Sequence, residues 1–121
     1  MGAEDNGGLI DIAALDMLED RLGREAVLRV VQAQLKFGAQ VADKLEALVH
    51  APDAKAVRAI AHQMAGSSAS VGLTRLGEVA MALEIILIED EAYPGLVADV
   101  ASLRDLARAS LAELARAFPD A

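Results

Sequence analysis

The segment His62-Gln63-Met64-Ala65-Gly66-Ser67-Ser68-Ala69-Ser70 holds the residues whose types and spacing could do chemistry. A helix turns by about 100° per residue. On that spacing Val57, Ile60, Ala61, Met64, Ser68 and Val71 form an apolar stripe roughly opposite His62, so the imidazole faces water or the outer edge of the fold. Its own face carries Lys55, Arg58, Ala59, Ala65, Gly66 and Ala69. Apart from two cations upstream, every neighbour is very small. Gly66 is the telling one, because glycine inside a helix costs about 1 kcal/mol relative to alanine. One turn after the histidine it clears the space beside the ring, which makes sense where another backbone or a phosphoryl group must come close. An exposed imidazole on a rigid helix, near positive charge, suits a nucleophile that accepts a transferable group at neutral pH. A plain surface histidine among common alanines has the same appearance, and the residues alone leave both readings standing.

The other chemical candidates read as structure. His50 closes an apolar-periodic stretch just before Ala51-Pro52-Asp53, where an imidazolium suits the negative end of a helix dipole. Metal sites in bundles draw on Glu-x-x-His pairs facing the core, and position 59, three before His62, is alanine. Ser67 and Ser68 lie in a helical pattern, without the strand-to-helix elbow of a hydrolase. Glu89-Asp90-Glu91 reads as a solvated helix end, and Met17, Met64 and Met81 as packing residues. There is no Gly-rich phosphate loop, so ATP binding and self-phosphorylation are not expected.

The elements that must position His62 are helical. Hydrophobic residues make up 55% of the 121, yet aromatics only 2%, and no segment alternates with period two. Residues 1–8 read as a disordered, Gly-rich lead, and 9–121 as one domain. A short helix is expected at 11–22, with Asp11 as N-cap and Gly23 as its stop. A long one at 24–50 carries Leu28, Val31, Leu35, Ala42, Leu45 and Val49 on its stripe, and a third spans 54–70 behind Asp53. A turn at Val71-Gly72-Leu73-Thr74 follows, with Gly72 at positive φ and Thr74 as cap. The fourth helix, 74–90, points Leu76, Ala80, Leu83 and Leu87 inward. The fifth is expected from near Pro94 to about Phe118 with Leu96, Val100, Leu103, Leu106 and Leu114 inward. Long helices joined by short loops predict an all-α, up-down-up-down four-helix bundle with a short extra N-terminal helix as a lid.

Charge and length narrow the function classes. Nineteen acidic against eleven basic residues give a net charge of -8, which repels nucleic-acid phosphates and anionic membranes. The first residues are acidic where a signal peptide is basic and then apolar. Ile85-Ile86-Leu87-Ile88 is far short of the roughly 20 residues that cross a bilayer. A cytoplasmic location is expected.

The pattern His62-x-Met64-x-Gly66-Ser67-Ser68-x-x-Val71-Gly72-x-x-x-Leu76, followed by Leu83-Glu84, resembles the histidine-containing phosphotransfer (HPt) domain family. Leu45-x-x-Leu48 and Asp53 also fit, and the likeness covers about 11–90. The resemblance implies a bundle whose His62 takes a phosphoryl group from an aspartate of one response-regulator receiver domain and passes it to another. A hybrid histidine kinase would stand in the same relay. It implies no cofactor of its own, Mg²⁺ coming from the receiver, and no autonomous turnover. Receivers would dock around His62, with apolar flanks from the first two helices, on a monomer. Glu84 falls where the family often has Gln or Glu beside the histidine, to fix its tautomer. The family usually has Lys three residues after the histidine; here Ala65 stands there, and Arg58 or Lys55 is the expected substitute, with Arg75 a more distant one. The competing expectation is a docking module that binds or inhibits a kinase or receiver without carrying phosphate.

Overall fold

Two helices start where an aspartate offers a partner for their orphan amides. The Asp11 carboxylate accepts from the Ala14 N–H at 3.0 Å, and Asp53 accepts from Lys55 N and Ala56 N at 3.1 and 3.2 Å. In the computed structural model, which describes residues 8–121, these caps open two of five helices. They are α1 (Ile12–Leu22), α2 (Arg24–His50), α3 (Ala54–Ser70), α4 (Thr74–Glu89) and α5 (Leu96–Ala117). There is no strand among the described residues, and the all-α reading holds. Of the expected lead at 1–8, residues 1–7 lie outside the described residues. None of the described helices is long and apolar enough to cross a membrane.

Two antiparallel pairs make the body of the fold, α3 against α4 and α2 against α5. In the first, Gly77 sits over Ala65 and Ser68, Glu84 reaches His62, and Glu91, just past α4, reaches Arg58. Numbers rise along one helix as they fall along the other. In the second, Gly38 meets Leu111, Asp43 meets Arg108 and Glu46 meets Arg104. Glu46 is the hub of that seam, accepting from Arg104 Nη1 at 3.0 Å and lying 3.0 Å from the His50 ring. The His50 hydrogen bond, with help from Arg104, holds its carboxyl below the usual value. The core beneath both seams is aliphatic, with Leu45, Leu73, Leu87, Leu103 and Leu114 fully buried.

Several expectations need correction. The buried stripe of α2 runs through Val27, Val31, Gln34, Gly38, Val41 and Leu45, while Leu28, Leu35 and Val49 are only half-buried. The helix is turned so that Gly38, its smallest residue, lies under Leu111, whose methyls would be 2.7 Å from an added Cβ. α5 starts at Leu96, two residues past Pro94. Gly95 is its N-cap, and the Tyr93 hydroxyl donates to Asp99 Oδ2 at 2.8 Å across the preceding turn. That hydrogen bond, with burial and the negative charge of Asp99 adding to it, raises the Tyr93 pKa. Its inward face includes Ala107, Ser110 and Leu111, whereas Leu96 and Leu106 are half-buried. Thr74 is the first residue of α4 rather than its cap; Leu73 takes that place without a side-chain bond.

The turn between α3 and α4 is as expected at Gly72, whose φ is +72°. Its carbonyl also accepts from the Asp11 N–H at 2.7 Å, tying the start of α1 to this turn. An added Cβ would lie 3.0 Å from the Asp11 carbonyl oxygen. Left-handed backbone costs an L-residue roughly 1–2 kcal/mol, so Gly72→Ala is expected to destabilise the fold by about that much or more, read by urea denaturation.

Candidate functional site

His62 occupies the middle of α3 because the residues on the far side of that helix, Val57, Ala61, Met64 and Ser68, are buried against the core. The ring is thereby carried outward, with its side chain 75% exposed. Its Nδ1 lies 2.7 Å from Glu84 Oε2, contributed by α4 across the seam. Glu84 is only 19% exposed, so this carboxylate is held in place by its surroundings. An ionised carboxylate can only accept, which assigns the proton to Nδ1 and leaves the Nε2 lone pair outward. Nε2 makes no hydrogen bond among the described residues. An imidazole with one nitrogen braced and the other open is a positioned nucleophile.

The close approach behind this pair comes from Gly77. A Cβ there would sit 3.5 Å from both the Ala65 carbonyl oxygen and Ser68 Cβ, so α4 packs nearly against the α3 backbone. The seam opens outward into a hollow of about 280 Å³ lined by Ala65, Ala69, Thr74, Gly77, Glu78 and Met81. Ala59, Gly66 and Ala69 are exposed and Ala65 is half-buried. Nothing lies within 4 Å of where a Gly66 side chain would begin, so the approach to the ring is clear on that side.

The cations are less freely disposed. Arg58 Nη1 lies 3.6 Å from Glu91 Oε2 in the loop after α4. Lys55 is exposed in the first turn of α3, and its ammonium makes no ion pair among the described residues. No hydrogen bond or ion pair joins His50 to His62 among the described residues. His50 is exposed at the end of α2 and bonded to Glu46 one turn back, in keeping with the structural role read for it. Among the described residues no group of three His, Asp or Glu side chains could hold a metal ion. Sequence reasoning missed Gly77 and the Arg58–Glu91 pair. A glycine inside an apolar-periodic helix was a usable signal for the first; for the second nothing local in the chain points across 33 positions.

Fold and site together define an all-α bundle that presents one braced imidazole on an open helix face. The chain belongs to the Hpt domain family, whose model matches residues 29–117. Among solved structures it is similar to a rice protein described as a candidate histidine-containing phosphotransfer protein. The two share 24% identity and a TM-score of 0.69, over 95% of this chain and 85% of that one. That likeness is one of fold. Against curated proteins no match is found.

With open space around it, Gly66 costs this helix stability without relieving any clash. Gly66→Ala is expected to stabilise the protein by about 0.5–1 kcal/mol and raise its melting temperature by a few degrees, measured by thermal denaturation.

Proposed function

We propose that the protein is a phosphocarrier that relays a phosphoryl group through His62 between aspartates of response-regulator receiver domains. The observation that carries this reading is the His62–Glu84 pair at 2.7 Å, with the outer ring nitrogen open. Membership of the Hpt domain family supports a phosphorelay role, with receivers and kinases as partners.

In the proposed step the Nε2 lone pair attacks the phosphorus of a receiver's aspartyl phosphate. An N–P bond forms, the P–O bond to the aspartyl carboxyl breaks, and that electron pair leaves with the carboxylate. Nδ1 keeps its proton, directed at Glu84, so the ring cation formed in the step has a carboxylate beside it. Onward transfer is the reverse, with a second receiver's aspartate as nucleophile. Little covalent work falls to the protein in such a transfer, and positioning with charge neutralisation does most of it. The chain contributes the imidazole, the cleared face at Ala59, Ala65, Gly66 and Ala69, and the cations Lys55 and Arg58. Mg²⁺ comes from the receiver, and turnover depends on partners in the cytoplasm.

One observation favours a second reading. Arg58 is engaged by Glu91, and Ala65 brings no charge, so the face is short of free cations. A module that docks a kinase or receiver without carrying phosphate would have no need of them.

Receiver domains phosphorylated with radiolabelled phosphate distinguish the two. The wild-type protein is expected to acquire an acid-labile, alkali-stable label that His62→Gln never acquires. Stable complexes with a receiver and no label on the wild type would establish the docking module instead. Arg58→Ala is expected to slow single-turnover transfer several-fold, in line with the loss of one charge-assisted contact; unchanged kinetics would remove Arg58 from the mechanism.

A further inference from the structure

Two carboxylates reach the His62 face of α3 from across the seam, and they are held differently. Gly77, Glu84 and Glu91 are seven residues apart, a spacing that returns to nearly the same side of a helix. Along that edge Gly77 lies over Ala65 and Ser68, Glu84 reaches His62, and Glu91, in the loop just past α4, reaches Arg58. Glu84 is mostly covered and sits 2.7 Å from the ring. The Arg58–Glu91 pair is 3.6 Å long, beyond hydrogen-bond distance, with side chains 38% and 48% exposed. The first contact is a brace, and the second is one that water or another anion can replace. The backbone under Glu91 is nevertheless fixed. Asp90 Oδ1 accepts from the Ala92 N–H at 3.0 Å, and the Asp90 carbonyl accepts from the Tyr93 N–H at 3.2 Å. The Asp90 N–H in turn donates to the Ile86 carbonyl at 2.9 Å. Glu91 is therefore a tethered competitor for Arg58, with its carboxylate in water and its main chain held in place.

Two anions can compete for this guanidinium. Arg58 lies one turn before His62 on the same face, and residues four apart on a helix have Cβ atoms about 5–6 Å apart. Helical side chains lean toward the N-terminus, so the His62 ring lies back over the turn that begins at Arg58. The same lean carries the guanidinium away from the ring, to where Glu91 meets it. A phosphoryl group on Nε2 brings negative oxygens within one side-chain swing of Arg58. Guanidinium contacts to such a group are bidentate and strong, whereas an exposed pair with a carboxylate contributes little. We infer that Glu91 is a positioning residue that acts through Arg58. In the unloaded protein it parks the guanidinium clear of Nε2, and in the loaded protein it competes with the phosphoryl group for it. The inference rests on the relay reading and deepens it, because the competition makes His62 a shallow stop from which onward transfer stays open. The exchange changes no covalent bond: Arg58 leaves one anion for another, and the Glu91 carboxylate takes up water.

One receiver phosphorylated with radiolabelled phosphate, mixed with the protein and brought to equilibrium, reads how the label divides between its aspartate and His62. Glu91→Gln removes the charge and keeps the shape. It is expected to shift the division toward His62 by about two- to fivefold, and to slow onward transfer to a second receiver. Glu91→Asp, which keeps the charge, is expected to lie close to the wild type. With Arg58→Ala already in place, Glu91→Gln is expected to change nothing, because its effect passes through the guanidinium. Unchanged melting temperatures verify the fold of each variant. A Glu91→Gln division equal to the wild type, or tilted toward the receiver, overturns the inference. An equal shift with Arg58 already removed overturns it too, since that is the bare field of one carboxylate. A wild type that takes no label from any receiver brings down the relay reading and this role together. A labelled wild type with an unmoved Glu91→Gln division removes the role of Glu91 alone.

Discussion

The contact between α3 and α4 governs how His62 is presented. Gly77 lets the two backbones approach, and that approach is what allows a side chain on α4 to reach a ring on α3. A methyl at 77 would rest in ordinary contact with the Ala65 carbonyl and Ser68, so the seam has room for alanine there and little more. The 2.7 Å contact thus depends on helix packing more than on either residue's own flexibility. Much of the rest follows from the same contact: the short turn at Gly72, the buried side of α3, and the hollow beside the ring. α2 and α5 form the second seam, which backs the first and carries its own polar hub at Glu46.

Most of this frame was legible in the chain. Asp11, Gly23, Asp53 and Gly72 announce helix ends through local chemistry, and helices α1 to α3 lie where that chemistry places them. The outward direction of His62 was legible too, since a stripe with helical period fixes the opposite face. What failed depended on neighbours distant in sequence. The stripe of α2 is turned toward Val27, Gln34 and Val41 because α5 presses Leu111 onto Gly38. The start of α5 was misplaced because proline suits a first helical turn, but Tyr93 and Asp99 lock Pro94 into the turn before it. Glu84 came from family resemblance, not spacing; Glu91 as a partner for Arg58 had no sequence signal.

The charges around His62 set a tension within the proposed chemistry. Glu84 braces the ring, yet it adds negative charge near an incoming anion. Arg58 would offset this but is shared with Glu91, at a separation and exposure where an ion pair contributes little and can be exchanged. A partner that brings cations of its own would relieve the deficit.

The tight seam behind His62 also bears on how a message would be carried. A helix backed this closely has little room to bend, so a group held on its outer ring would leave the shape of the molecule as it was. Information would then reside in occupancy alone, read by collision. Throughput in such a scheme scales with copy number and encounter frequency, as for a courier whose parcel matters and whose posture does not.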